Sequence, residues 1–142
     1  MRGGLNVKLT ICIAVAAIAV GCSESIPPGD RRPKLYETRG RLVELADIAS
    51  NLELQHVDLT ELESVEGMID AAEARRILPR ERTPADYSRD AWGHAYVWRK
   101  RNAVIEIRSP GRDANANRPI LLEYDTRSTQ ARKFTISLPD ED

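Results

Sequence analysis

Between Asp90 and Asp113 the chain reads D-A-W-G-H-A-Y-V-W-R-K-R-N-A-V-I-E-I-R-S-P-G-R-D, a Trp-Gly turn, two alternating apolar runs and a Ser-x-Gly-x-Asp corner. Tyr96, Trp98, Ile105 and Ile107 stand at alternate positions, so they line one face of a pair of pleated strands. A two-residue turn at Arg101-Asn102 would set Trp98 opposite Ile105 and Tyr96 opposite Ile107. Gly93 allows a backbone turn closed to other residues, Trp92 supplies a large apolar anchor, and Asp90 is placed to accept bonds from turn amides. None of these roles is catalytic.

The flanking sequence supplies what such a strand pair packs on. Leu35, Leu42, Leu45, Ile48, Ala49 and Leu52 recur at spacings of three, four and seven, which predicts an amphipathic helix from Leu35 to about Gln55. Glu37 stands four residues before Arg41, the favourable order for a surface ion pair. Thr60 with Glu63 gives a capping-box signature for a second, shorter helix reaching about Ile77, with Gly67 inside it and Pro79 as the stop. Residues 79 to 91 are a polar, proline-bearing loop. Ile120, Leu122 and Tyr124 alternate, as do Phe134, Ile136 and Leu138, which adds two strands joined by the polar stretch Asp125 to Ala131. The fold class is therefore α+β: one long N-terminal helix plus a short helix packed on a small three- to four-stranded antiparallel sheet.

The chain has 142 residues, room for one domain, and that domain is expected at residues 35 to 142. Residues 1 to 21 have the basic start (Arg2, Lys8), apolar centre (Leu9 to Val20) and small-residue end of a secretory signal peptide. Ala19-Val20-Gly21-Cys22 resembles a bacterial lipobox, which implies cleavage before Cys22 and acylation of that cysteine. Of the two cysteines, Cys12 would leave with the signal, so the mature chain could form no internal disulfide. Ser23, where Asp would retain a lipoprotein at the inner membrane, points to the periplasmic face of the outer membrane. Residues 22 to 34 then form the lipidated cysteine and a flexible, proline-rich linker, extended at about 3.1 Å per residue. Removing Arg2 and Lys8 from the 21 basic residues leaves 19 against 22 acidic ones, a net charge of −3. That balance argues against nucleic acid as a partner, because phosphate binding needs a concentrated basic surface.

Asp90-x-Trp92-Gly93-x-x-Tyr96, followed after a hairpin by Ile107-x-Ser109-x-Gly111-x-Asp113, resembles the C-terminal domain of the major pseudopilin of type II secretion systems, protein G. In that family an Asp-Pro-Trp-Gly-Asn-Pro-Tyr stretch enters the first sheet strand and a Ser-x-Gly-x-Asp-Gly corner follows the second. The order of helix, variable loop, Trp-Gly turn and sheet agrees as well. The N-terminus departs from the family: protein G carries a prepilin leader and a polymerising apolar helix, and here a lipobox and a proline-rich linker stand instead. The resemblance implies a pseudopilin-like globular domain held on a lipid anchor, with a filament subunit disfavoured.

Protein G also binds calcium in the acidic loop after its corner, and of that set only Asp113 matches. Asp113, Asn115 and Asn117 place three oxygen-bearing side chains at alternate positions, the start of a calcium-loop pattern. The EF-hand pattern fails, since Arg118 occupies the glycine position and Tyr124 that of the bidentate Glu. A calcium site on these three residues stands as the alternative to a plain Asx-rich turn, and no other cofactor is expected. His56 and His94 are the only histidines, and no nucleophile-elbow, phosphate-loop or zinc spacing is present. Arg99-Lys100-Arg101 forms a basic cluster near the hairpin tip, suited to anionic lipid or an acidic partner. The expectation is a non-enzymatic cell-envelope lipoprotein. Its partners would be the membrane, through acylated Cys22, and an envelope or secretion-system protein; the alternative is a small anchored calcium- or ligand-binding module.

Overall fold

The computed structural model describes residues 33–112 and 119–139. Cys22 and most of the residues expected to form a signal segment and a linker lie outside the described residues, as do Asp113, Asn115 and Asn117. Helix α1 spans Pro33–Leu54 and opens on proline, which is preset for a first helical turn. Its stripe of Leu35, Leu42, Leu45, Ile48, Ala49 and Leu52 is buried, as its spacing predicts. A 3-10 turn at Leu59–Glu61 follows, then α2 at Val65–Ala74, a second 3-10 turn at Pro84–Tyr87, and strands β1 (Val97–Arg101), β2 (Val104–Ser109), β3 (Ile120–Asp125) and β4 (Phe134–Ser137). The strands form one antiparallel meander in the order β1-β2-β3-β4. The class is α+β.

The second helix starts later than the Thr60–Glu63 signature suggests. Asp58 caps the 3-10 turn by accepting from the Thr60 amide, and Ser64 caps α2 by accepting from Gly67 N at 2.9 Å. Ser64 thus wins the capping role, and Gly67 lies in the first turn, where its amide is bonded to that cap. Both helices close with the same device. Val57 N donates to Leu52 O (3.0 Å) and His56 N to Glu53 O (2.9 Å); Ile77 N donates to Ala72 O (2.9 Å) and Arg76 N to Glu73 O (3.0 Å). These are Schellman caps with His56 (φ 61°) and Arg76 (φ 56°) in the left-handed conformation. Helix α2 therefore ends five residues before Pro79.

The β1–β2 turn is Asn102-Ala103, one residue later than Arg101-Asn102, and it pairs Trp98 with Ile107 and Lys100 with Ile105. Asn102 takes the left-handed conformation (φ 54°), which asparagine tolerates better than arginine does. Ala103 is held from the next hairpin, since its carbonyl accepts from Thr126 N (3.0 Å) and Thr126 Oγ1 (2.8 Å). The register shift is two residues, so every side chain keeps its face. Ile105, Ile107, Ile120, Leu122 and Tyr124 form one core with the helix stripe, Met68, Ile69 and Tyr87, and Trp92, Trp98, Phe134 and Ile136 pack half-buried against it.

Candidate functional site

The two ends of the stretch from Asp90 to Gly111 meet in space. Asp90 is 1% exposed and Ser109 fully buried. Oδ1 of Asp90 accepts from the amides of Trp92 (3.0 Å) and His94 (2.8 Å), while Oδ2 accepts from Ser109 Oγ at 2.7 Å. Ser109 Oγ accepts in turn from Gly111 N at 3.2 Å. One carboxylate thereby ties the entry to β1 to the exit from β2. Gly93 (φ 88°) and Gly111 (φ 77°) both adopt backbone conformations that side chains disfavour, one at each half of the lock.

Helix α1 fastens this corner from behind. Thr38 Oγ1 accepts from Ala91 N at 3.1 Å, and Arg41 Nη1 donates to the carbonyls of Arg89 (2.9 Å) and Asp90 (3.2 Å). Arg41 is aimed by Glu37, 2.6 Å from its other nitrogen. Neither Thr38 nor Arg41 is legible as a partner of residue 90, since about fifty residues separate them. A threonine in line with the helix stripe, between Leu35 and Leu42, is the one signal in the sequence, and in the fold it is fully buried with its hydroxyl bonded.

His94 brings serine, histidine and aspartate into one neighbourhood, but with the wrong connections for nucleophilic catalysis. Its Nδ1 lies 2.8 Å from Gly111 O, and a carbonyl can only accept, so Nδ1 carries a hydrogen. The Ser109 proton goes to Asp90 and not to an imidazole, whereas a working triad sets the histidine between the two. Asp90, Trp92, Gly93, Ser109 and Gly111 are thus brought together as a structural lock, while the Tyr96 amide donates to Ser88 O at 3.3 Å. Tyr96 is buried and its hydroxyl has no hydrogen-bond partner among the described residues.

The basic cluster does not stay together. Alternation sends Lys100 to the helix side, where Nζ donates to Thr60 O at 2.7 Å, and sends Arg99 and Arg101 to the opposite face of the sheet. Arg101 pairs there with Glu106, which is only 5% exposed, and lies 3.4 Å from Glu123. Arg99, Lys100, Arg101, Glu106, Arg108 and Leu121 line a depression of about 530 Å³. A second polar cluster sits where the far end of the sheet meets α1. Tyr124 donates from its hydroxyl to Glu53 Oε2 (2.7 Å), Ser50 Oγ lies 3.1 Å away, and Lys133 Nζ donates to the same Glu53 oxygen at 2.9 Å.

Among the described residues no three His, Cys, Asp or Glu side chains are grouped to hold a metal ion, and no helix is long and apolar enough to cross a membrane. Comparison of the chain with protein-family models, with curated proteins and with solved structures finds no match.

Proposed function

We propose that the chain is a lipid-anchored bacterial envelope protein, acylated at Cys22 and held at the periplasmic face of the outer membrane. Its pseudopilin-like domain would act as a non-enzymatic interaction module accessory to type II secretion or a related export system. The observation that carries this reading is the Asp90–Ser109–Gly111 lock. Asp90, Ser109 and Gly111 of that motif are hydrogen-bonded to one another, and Asp90 to Arg41 of α1, so they serve to fix the sheet against the helix and leave the outer surface to do the binding. A mixed-charge surface on the sheet face away from α1 suits protein contacts whose specificity comes from charge complementarity.

Two measurements test it. Metabolic labelling with palmitate should mark the chain and fail to mark Cys22→Ala. Co-purification from crosslinked envelopes should recover secretion-system or other envelope proteins, and recovery of none would count against the reading.

A further inference from the structure

The sheet has two unpaired edges among the described residues, and they differ in kind. Strand β1 carries Arg99, Lys100 and Arg101 in succession, so two copies meeting there would repel, a common protection for an exposed edge. Strand β4 reads Phe134-Thr135-Ile136-Ser137 and holds no charge. It is preceded by Arg132-Lys133 and followed, past Leu138-Pro139, by Asp140-Glu141-Asp142. An antiparallel pair of such segments brings the basic end of each against the acidic end of the other.

The backbone of β4 is oriented for that pairing. Asp125 N donates to Lys133 O at 2.9 Å, which turns the peptide groups of Lys133 toward β3. By the alternation of an antiparallel ladder those of Thr135 and Ser137 face β3 as well, opposite Glu123 and Leu121. Phe134 and Ile136 therefore present their N–H and C=O groups to the free edge, and Leu138 continues the row. Leu138 is one of four large apolar side chains with substantial exposure among the described residues.

We propose that this chain forms a two-fold dimer through β4, paired antiparallel with β4 of a second copy in the register that sets Ile136 opposite Ile136. That register places Phe134 against Leu138 of the second copy, so each exposed Leu138 gains an aromatic neighbour. Arg132 lies over the Phe134 ring, 4.5 Å from its centroid, at the end where the acidic residues of the other copy would arrive. The result is one eight-stranded sheet. The contact is short and therefore weak, and dimerisation rises with concentration. It does not depend on the anchor or on the secretion reading.

Native mass spectrometry of the full chain released from detergent tests this across a protein concentration series. The dimer fraction should rise with concentration. Ile136→Pro removes a free-edge donor and no bond to β3, and should weaken association by at least about tenfold. Leu138→Pro, beyond the end of the strand, should do the same while leaving the far-ultraviolet dichroism unchanged, which separates lost pairing from lost folding. Arg132→Glu and Asp140→Arg should each weaken the dimer, and the double variant should restore it. A monomer at every concentration, a dimer indifferent to both proline variants, or a charge swap without rescue would overturn the proposal.

Discussion

Removing the Asp90 carboxylate strands three donors at once, the amides of Trp92 and His94 and the hydroxyl of Ser109. A buried donor left without an acceptor costs about 1–3 kcal/mol, and the three are partly relieved by rearrangement and water. Asp90→Ala is therefore expected to lower unfolding stability in urea by about 3–4 kcal/mol, and Ser109→Ala by about 1–2 kcal/mol. Their sum should exceed the cost of the double variant, because both remove the same bond. Tyr96→Phe should act in the opposite sense. It deletes a buried hydroxyl that has no partner among the described residues and should raise stability by about 1 kcal/mol in the same assay. A loss of stability would show that the hydroxyl is bonded in solution. The role of Asp90 as a turn acceptor was legible from Asx chemistry and the neighbouring glycine. Its bond to Ser109 was not, because a separation of nineteen residues becomes a contact only once the hairpin is folded.

The helix ends show where local sequence signals stop informing. Both Schellman caps use a residue other than glycine at the left-handed position, His56 after α1 and Arg76 after α2, so no glycine marks either closure; the apolar period alone places the end of α1 at about Gln55, close to Leu54, but carries α2 to about Ile77, past its end at Ala74. Proline at 79 was the visible stop, and it merely follows a helix that had already closed. The conformation costs a side chain roughly 1 kcal/mol, partly offset by the extra freedom glycine gives the unfolded chain. His56→Gly is therefore expected to raise the thermal midpoint slightly, a gain on the order of 0.5 kcal/mol by calorimetry. Gly93→Ala should do the reverse and cost about 1–2 kcal/mol. A Cβ there meets no atom within 4 Å, so the penalty is conformational and not steric crowding. In the sheet the period-two pattern identified the buried face of all four strands, because that face survives a two-residue register error. The register itself depended on which of two adjacent residues would take the left-handed turn, and the sequence Arg101-Asn102-Ala103 lacked the glycine that would have decided it.

Across the whole domain, titration limits stability differently at its two ends. At the acid end Asp58 and Asp86 are held below the ordinary carboxylate value of 3.8, the first chiefly by the Thr60 hydroxyl and the second chiefly by the Thr83 amide. Groups lowered in this way contribute stability above their unfolded pKa and lose it as pH falls through the lowered folded value. Both carboxylates are solvent-exposed, so the loss is minor. At the alkaline end Tyr96 and Tyr124 are both pushed well above the ordinary 10.0, mainly by burial. For Tyr124 the bond to Ser50 opposes the rise and Glu53 adds to it. A raised folded pKa gives stability that is complete below the unfolded value and is lost as pH rises toward the folded one. Each tyrosine still protonated in the fold and ionised in the unfolded chain steepens that loss by about 1.4 kcal/mol per pH unit. Urea midpoints should therefore fall steeply above about pH 10, where both phenols ionise on unfolding. Tyr124→Phe should start lower, having lost its bonds to Glu53 and Ser50, and decline more gently through the same range. A slope unchanged by that substitution would mean that Tyr124 ionises inside the folded domain, and that the contact between α1 and the sheet opens there before the rest unfolds.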